Sequence, residues 1–142
     1  MNRKEKGEIG ERIAIGELAK FGINVMLPMS DNLPFDLVVY YNNRFFKCQV
    51  KTSTTITKEG AMTFDISTNN WYKHSVHKYT EDEVDVWILC DMKEIYLLRY
   101  DETDCKKAIA LRKDKPLNNQ SKRVRYADDY IISEKRVKEV FN

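Results

Sequence analysis

The sequence feature that most constrains the fold is a pair of strand-like segments separated by two asparagines. Residues 35–41 (FDLVVYY) are apolar and aromatic, and residues 44–53 (RFFKCQVKTS) alternate, so both segments favour β-strand. Asn42 and Asn43 between them predict a two-residue hairpin turn, because asparagine tolerates the positive φ that such turns require. The hairpin then fixes which residues face one another.

This hairpin brings three chemically useful side chains together. Paired residue numbers sum to 85, so Asp36 faces Gln49 across the two strands. Side chains alternate faces along a strand, so Lys51 shares a face with Gln49. Directly opposed Cβ atoms lie about 5 Å apart, and a carboxylate, an amide and an ammonium therefore converge on one patch. Taken alone, Asp36 is equally compatible with a structural ion pair to Lys51.

The first predicted helix covers residues 4–21 and adds a second carboxylate to the patch. Glu11 falls in the middle of the apolar stripe of this helix, where a carboxylate needs a partner. A metal ion or a lysine on the sheet would satisfy it. Gly7 and Gly10 lie along the same side and permit close approach of another backbone. Gly22 then ends the helix.

Four motifs in chain order resemble those of the PD-(D/E)XK nuclease superfamily. Asp36, a spacer of twelve residues and Gln49-x-Lys51 match its signature, with glutamine in the second acidic position. The closest likeness is to the group I intron-associated (homing) endonucleases, which carry glutamine there too. The matching segments are GEIGER at 7–12, DNLPFDLVV at 31–39, QVKTS at 49–53, and a C-terminal signature within 118–130.

The resemblance implies an α/β fold with a restriction-endonuclease-like core, in which helices flank a mixed β-sheet. The chain length predicts a single domain over residues 1–142, and the resemblance implies that it is a PD-(D/E)XK nuclease domain. The order of predicted elements agrees with this fold. These elements are a helix at 4–21, strands at 23–27, 35–41, 44–53 and 61–67, a short helix within 69–78, strands at 84–90 and 94–100, and a helix at 134–141 that Ser133 caps. Residues 104–115 mix strand and loop signals.

Hydrolysis of a phosphodiester suggests a role for each residue of the patch. The expected catalytic residues are Glu11, Asp36, Gln49 and Lys51. The carbonyl of Val50 joins Asp36, Gln49 and Glu11 as a metal ligand, by its resemblance to similar nucleases. The expected ion is Mg²⁺, with Mn²⁺ as a substitute, because these ions prefer oxygen ligands. Lys51 positions the attacking water or offsets developing charge, and the sequence leaves open whether it acts as a general base.

Candidate DNA contacts come from two polar segments. The first follows Lys51 and comprises Thr52, Ser53 and Lys58. The second is denser in positive charge and comprises Lys113, Lys115, Asn119, Gln120, Lys122, Arg123 and Arg125. Lysine and arginine bind phosphates, while asparagine, glutamine and arginine also read base edges. A solvated loop remains an open interpretation of the second segment.

Composition excludes several other classes of protein. The net charge of +2 excludes a polycationic coat for nucleic acid, so any DNA surface depends on local clustering of charge. Three widely spaced cysteines form neither a zinc motif nor a disulfide framework, which favours a reducing, cytoplasmic setting. We find no signal peptide and no apolar run long enough to cross a bilayer, so no membrane partner is expected.

The expected function is therefore magnesium-dependent, site-specific cleavage of double-stranded DNA. One domain carries one site, so cutting both strands requires at least a homodimer, and the resemblance implies that a homotetramer is an alternative. Two other functions stay open. One is a structure-selective nuclease similar to Holliday junction resolvases, and the other is a DNA-binding module that has kept the fold without cleavage.

Overall fold

The computed structural model describes residues 1–70, 75–104, 107–114 and 124–142. The helices are α1 (Arg3–Lys20) and α2 (Glu134–Val140), with short 3-10 helices at Tyr100–Glu102 and Ala127–Asp129. The strands are β1 (Asn24–Met26), β2 (Leu37–Tyr41), β3 (Arg44–Thr52), β4 (Ala61–Asp65), β5 (Ser67–Asn70), β6 (Ser75–Lys78), β7 (Val86–Cys90), β8 (Ile95–Arg99) and β9 (Ala108–Arg112). Neither α-helix has the length and apolarity needed to cross a lipid bilayer.

A mixed five-stranded sheet forms the centre of the fold, with strand order β1-β2-β3-β7-β8. The contact between β3 and β7 is parallel, and the other three contacts are antiparallel. Between β3 and β7 the chain forms β4, which pairs with β9, and the hairpin of β5 with β6. This architecture confirms the predicted α/β class.

The hairpin of β2 and β3 has the predicted turn and register. Asn42 has a φ of 52° and Asn43 a φ of 62°, as a two-residue turn of type I′ requires. Leu37 faces Cys48, so paired residue numbers sum to 85 as expected. Asn42 and Asn43 thus set the alignment on which the whole candidate site depends.

The two helices cover one face of the central sheet. Cys48 and Val50 of β3 point to this face and pack with Ala14 and Leu18 of α1 in one buried cluster. Val137 of α2 belongs to the same cluster. Because side chains alternate along β3, its intervening residues point to the opposite face.

The small sheet of β4 and β9 covers that opposite face. Trp87 and Leu89 of β7 contribute to a second buried cluster, together with Phe64 of β4 and Leu111 of β9. The central sheet is therefore flanked by helices on one side and by a second sheet on the other.

The prediction of a short helix within residues 69–78 is wrong at 69–70 and 75–78, and residues 71–74 lie outside the described ranges. Ser67–Asn70 and Ser75–Lys78 form the antiparallel strands β5 and β6. The β6 residues are all exposed, so this segment has no apolar stripe that a helix would bury. The mixed signals of residues 104–115 resolve in part as β9, which pairs with β4.

Candidate active site

Asp36 lies where the pairing of β2 with β3 ends. Its N–H donates to the carbonyl of Cys48 at 2.9 Å, and its Oδ2 accepts from the N–H of Val50 at 2.8 Å. The carboxylate thus takes the place of a backbone carbonyl as the partner of Val50. For this reason β2 begins at Leu37, two residues later than the sequence predicts.

The carbonyl of Val50 points toward the same edge as its N–H. In a strand, the N–H and C=O of one residue point to the same side, as the reciprocal bonds of antiparallel pairs require. The N–H of Val50 is directed at Asp36, so the Val50 carbonyl is directed at the edge where β2 no longer pairs. One carboxylate and one backbone carbonyl therefore lie at the same edge, which is the arrangement that the resemblance to PD-(D/E)XK nucleases implies.

The environment of Asp36 disfavours its charged form. Burial raises the pKa of the Asp36 carboxyl above its usual range. Three neighbours lower the pKa of Asp36 without cancelling the effect of burial. They are the N–H of Val50, the positive charge of Lys51 and the side chain of Gln49. A cation bound beside Asp36 would offset this cost.

Glu11 approaches Asp36 from α1. The two residues line an open cavity of about 300 Å³, and residues of the loop at 27–35 line the rest of it. Burial is the main cause of the raised pKa of Glu11, and repulsion from Asp36 and Glu8 raises it further. The positive charge of Arg12 acts in the opposite direction. Glu11 is half-buried whereas Glu8 is exposed, which agrees with the expectation that Glu11 lies on the apolar stripe.

Gln49 and Lys51 share the face opposite the helices. Their partners on the parallel neighbour β7 are Trp87 and Leu89, which lie in the second buried cluster. Gln49 is 8% exposed, so its amide lies beneath the surface beside Asp36. The structure thus brings Glu11, Asp36, Gln49 and Lys51 to one end of the β2–β3 hairpin.

A tyrosine that sequence reasoning missed contacts the lysine of this site. The Nζ of Lys51 lies over the ring of Tyr79, and this ring packs edge-on against Trp87 with centroids 5.4 Å apart. The Tyr79 hydroxyl bonds to the Thr68 hydroxyl at 2.8 Å. Tyr79 follows β6, which the sequence analysis placed in a helix, and the misassigned element concealed the contact.

Close packing of α1 on β3 holds Glu11 at the site. Gly10 is buried, and a Cβ at this position would lie 1.8 Å from Oγ1 of Thr52. Gly10 therefore allows the close approach that the sequence predicts for it, with the Thr52 side chain as the neighbour. A Cβ placed at Gly7 would have no atom within 4 Å, so this glycine faces open space.

The donor atoms at the site fit a hard divalent cation. They are the carboxylates of Glu11 and Asp36, the amide of Gln49 and the carbonyl of Val50. All are oxygen donors of the kind that Mg²⁺ and Mn²⁺ prefer. Across the described ranges no group of three or more His, Cys, Asp or Glu side chains is placed to hold a metal ion. A metal at this site would therefore depend on the amide and the carbonyl as well as on the two carboxylates.

The proposed DNA contacts have different surroundings. Thr52 and Ser53 line a groove beside Lys51. Lys58 is exposed in the turn before β4. Lys113 lies 3.4 Å from the carboxylate of Asp91. A further set lies outside the described residues: Lys115, Asn119, Gln120, Lys122 and Arg123.

Arg125 is partly engaged within the protein. Its Nη2 donates to the carbonyl of Glu102 at 2.9 Å and lies 3.7 Å from Oδ2 of Asp104. Its backbone carbonyl accepts from the N–H of Arg112. These contacts connect the segment that follows residue 123 to β9, which gives Arg125 a structural role alongside any contact with DNA.

Two cations of α1 were also missed by sequence reasoning. Arg3 and Lys6 line the groove beside Lys51 together with Gly7. The spacing of Arg3, Lys6 and Gly10, three and four residues apart, places them along one side of a helix. Since Gly10 was already expected to face the sheet, this spacing was the signal that would have found them.

Comparisons with known proteins identify what this chain is similar to. The family model of the PD-(D/E)XK endonucleases matches residues 1–133. Among solved structures, the bacterial homing endonuclease I-Ssp6803I is similar with a TM-score of 0.69 and 22% sequence identity, over 99% of this chain and 91% of that chain. At this identity the likeness shows a shared fold. No curated protein sequence matches the chain.

Proposed function

The chain belongs to the PD-(D/E)XK endonuclease family, and we propose that it is a magnesium-dependent, site-specific endonuclease of double-stranded DNA. One observation carries the proposal: the carboxylate of Asp36, held by the N–H of Val50, lies at the end of β2 beside Gln49 and Lys51. The similar fold of a bacterial homing endonuclease supports site-specific cleavage, and an intron-associated origin is part of the proposal.

Four groups of the chain would hold the metal ion. They are Glu11, Asp36, Gln49 and the carbonyl of Val50, with Mg²⁺ as the physiological ion and Mn²⁺ as a substitute. When bound, the ion supplies charge relief for the phosphate and lowers the pKa of a water molecule. The raised pKa values of Glu11 and Asp36 support this assignment, since a cation would relieve both the burial and the mutual repulsion of the two carboxylates.

Gln49 and Lys51 would perform different tasks. The Gln49 amide offers a neutral oxygen in place of a second acidic residue on β3, so Glu11 supplies the second negative charge from α1. The ammonium of Lys51 interacts electrostatically with Asp36, and it would orient the attacking water and offset the charge that develops on the phosphate. Ser53 would donate a hydrogen bond from its hydroxyl to the backbone of the cleaved strand. The hydroxyl of Thr52, expected to do the same, is instead buried against Gly10 of α1 and does not face the groove.

Double-strand cleavage needs more than one copy of this site. We propose that residues 1–142 form a single nuclease domain that assembles as a homodimer or a homotetramer. Each subunit would then cut one strand, since the two strands of a duplex run in opposite directions and a two-fold axis relates their scissile bonds. Sedimentation of the free protein and of its DNA complex measures this assembly.

The test is cleavage of a plasmid library that carries randomised inserts, with Mg²⁺, with Ca²⁺ or with EDTA. Asp36→Asn serves as the matched variant, because it keeps the size of the side chain and an oxygen acceptor for the N–H of Val50. The proposal predicts linear product from a narrow set of sequences with Mg²⁺, and none with the variant or with EDTA.

Other outcomes favour the two alternatives. Cleavage of four-way junctions without sequence preference would indicate a structure-selective nuclease similar to Holliday junction resolvases. Intact DNA of every kind, combined with calorimetry that detects no Mg²⁺ or Mn²⁺ binding to the wild type, would overturn the proposal in favour of a non-cleaving DNA-binding module.

A further inference from the structure

A polar groove of about 470 Å³ runs from the candidate active site to the first turn of α1. Lys51 and Thr52 of β3 lie on one side of it, and Arg3 and Lys6 of α1 lie on the other. The floor includes Thr54 from the segment that follows β3. The groove thus begins at Val50 and Lys51 of the candidate active site and extends to the N-terminal turn of α1.

The packing that positions Glu11 also builds this groove. Gly10 permits α1 to contact Thr52, and this contact places the preceding turn of the helix above the segment after β3. The Nζ of Lys6 donates to the hydroxyl of Thr54 across the groove at 3.1 Å. Gly7 lies between Lys6 and Gly10 on α1, and because it has no side chain it leaves this space open.

The groove carries a net positive charge. Arg3, Lys6 and Lys51 contribute three cations to its lining, and Asp65 contributes a single carboxylate. Arg3 lies 3.7 Å from Asp65, with side chains 90% and 71% exposed. An ion pair so exposed contributes little, so Arg3 is free to exchange Asp65 for a stronger anionic partner.

We propose that this groove binds the sugar–phosphate backbone of the strand that Asp36 and Lys51 cleave, with Arg3 and Lys6 as its phosphate contacts. The inference rests on the proposed function for the identity of the strand, and it adds α1 to the DNA-binding surface. Cations together with hydroxyl groups are the side chains that contact nucleic acid backbones without reading sequence. Lys6 exchanges the Thr54 hydroxyl for a phosphate oxygen when DNA enters.

Asp65 offers a test in which DNA affinity should rise rather than fall. Its carboxylate lines the same groove, and it repels a phosphate while it competes for Arg3. Removing this charge with Asp65→Asn therefore tightens DNA binding, whereas Lys6→Gln and Arg3→Gln weaken it. Asp65 and Arg3 are exposed, so neither substitution disturbs a buried contact.

The experiment measures binding of a labelled duplex of mixed sequence without metal, by fluorescence anisotropy over a series of salt concentrations. Each lost phosphate contact makes the slope of log affinity against log salt less steep by about one. We expect this change for Lys6→Gln and Arg3→Gln, and higher affinity for Asp65→Asn. Lys4→Gln is the matched control, because Lys4 is an exposed lysine of the same helix turn that does not line the groove.

Cleavage assays on the same proteins separate this inference from the proposed function. Suppose that the wild type cleaves DNA. If the three groove variants then bind DNA as the wild type does, or if Lys4→Gln weakens binding as much as they do, the groove assignment is wrong and the proposed function stands. If the three variants show the expected signs while the plasmid library stays intact and calorimetry detects no metal binding, the groove still binds a DNA backbone and the nuclease proposal falls. If the wild type binds no DNA at any salt concentration, both are overturned.

Discussion

The ammonium group of Lys51 lies over the aromatic ring of Tyr79, 5.2 Å from the ring centroid. Tyr79 is itself held from three sides, by Trp87, by the Thr68 hydroxyl, and by the Tyr100 hydroxyl that donates to its carbonyl at 2.9 Å. A cation over a ring gains about 0.5–1 kcal/mol at an exposed site. The ring therefore restricts the positions that the Lys51 side chain occupies before DNA binds.

Replacing the ring tests this restriction. We expect Tyr79→Leu to slow single-turnover cleavage by about 2–5-fold, the factor that corresponds to about 0.5–1 kcal/mol, with DNA affinity unchanged. Tyr79→Phe keeps the ring face and should retain the wild-type rate even though it loses the bond to Thr68. Equal losses in the two variants would show that the hydroxyl, rather than the ring, matters.

Removing Lys51 should separate binding from chemistry. Lys51→Ala is expected to abolish cleavage and to leave DNA affinity largely intact, because the Lys51 ammonium acts on the single reacting phosphate while Arg3 and Lys6 hold the backbone beyond it. Lys47→Ala is the matched control, since Lys47 lies on the same strand and face and donates to the carbonyl of Asp82. If Lys51→Ala remains folded but no longer binds DNA, Lys51 is a binding residue.

Neutralising Asp36 should stabilise the metal-free protein near neutral pH. Burial raises the pKa of this carboxyl in the folded state, so its ionised form there opposes folding. We expect Asp36→Asn to melt at a higher temperature than the wild type, by about 2–4 °C for each kcal/mol gained. The proposed metal site further predicts that Mg²⁺ raises the melting temperature of the wild type but not that of Asp36→Asn.

The pH dependence of this difference follows from its sign. Between the ordinary pKa of the unfolded chain and the raised pKa of the fold, the folded state binds more protons, so acidification stabilises the wild type relative to Asp36→Asn. The gap between their melting temperatures should therefore be largest near neutral pH and close as pH falls through the raised pKa. A gap that widens on acidification would contradict the assignment.

Metal binding should release protons for the same reason. Glu11 and Asp36 both have raised pKa values, and a cation binds their ionised forms. Calorimetric titration with Mn²⁺ in buffers of different ionisation enthalpy should detect net proton release at mildly acidic pH. Glu11→Gln should reduce the number of protons released, and an unchanged number would remove Glu11 from the metal site.

Two glycines of α1 offer a paired test of its packing. Gly10→Ala places a Cβ against the β-branched Thr52, and we expect a loss of about 1–3 kcal/mol of stability as the helix shifts. Gly16→Ala meets no atom within 4 Å and should gain about 0.5–1 kcal/mol from lower backbone entropy in the unfolded chain. Chemical denaturation measures both. A stabilising Gly10→Ala would mean that α1 and β3 are farther apart.

Local signals in the sequence were sufficient to predict the hairpin and to place Asp36, Gln49 and Lys51 next to one another. The asparagine pair and the alternation of β3 specify the turn and the register without reference to any distant residue. The position of Glu11 follows from the periodicity of one helix. Each of these inferences depends on residues within a single element, which is where sequence patterns are most informative.

Contacts between distant elements were not predictable in the same way. The strands β5 and β6 are short and mostly polar in sequence, and β6 is exposed, so neither an apolar stripe nor an alternating pattern distinguishes them from a helix or a loop. Tyr79 reaches Lys51 only because these strands return the chain across the sheet. The groove likewise joins α1 to the segment after β3, and its charges become neighbours only once Gly10 contacts Thr52.

The turn at Asn42 and Asn43 has a consequence for how this protein can change in length. Side chains alternate between the faces of β3, so one residue inserted in the turn would send Gln49 toward the helices and Val50 toward the opposite side, unless a bulge absorbed it. Substitutions that tolerate a positive φ should therefore leave the active site intact, whereas one inserted residue should displace Gln49 and Lys51 from Asp36. The turn at Asn42 and Asn43 thus sets the alignment of active-site residues that lie at the other end of the hairpin.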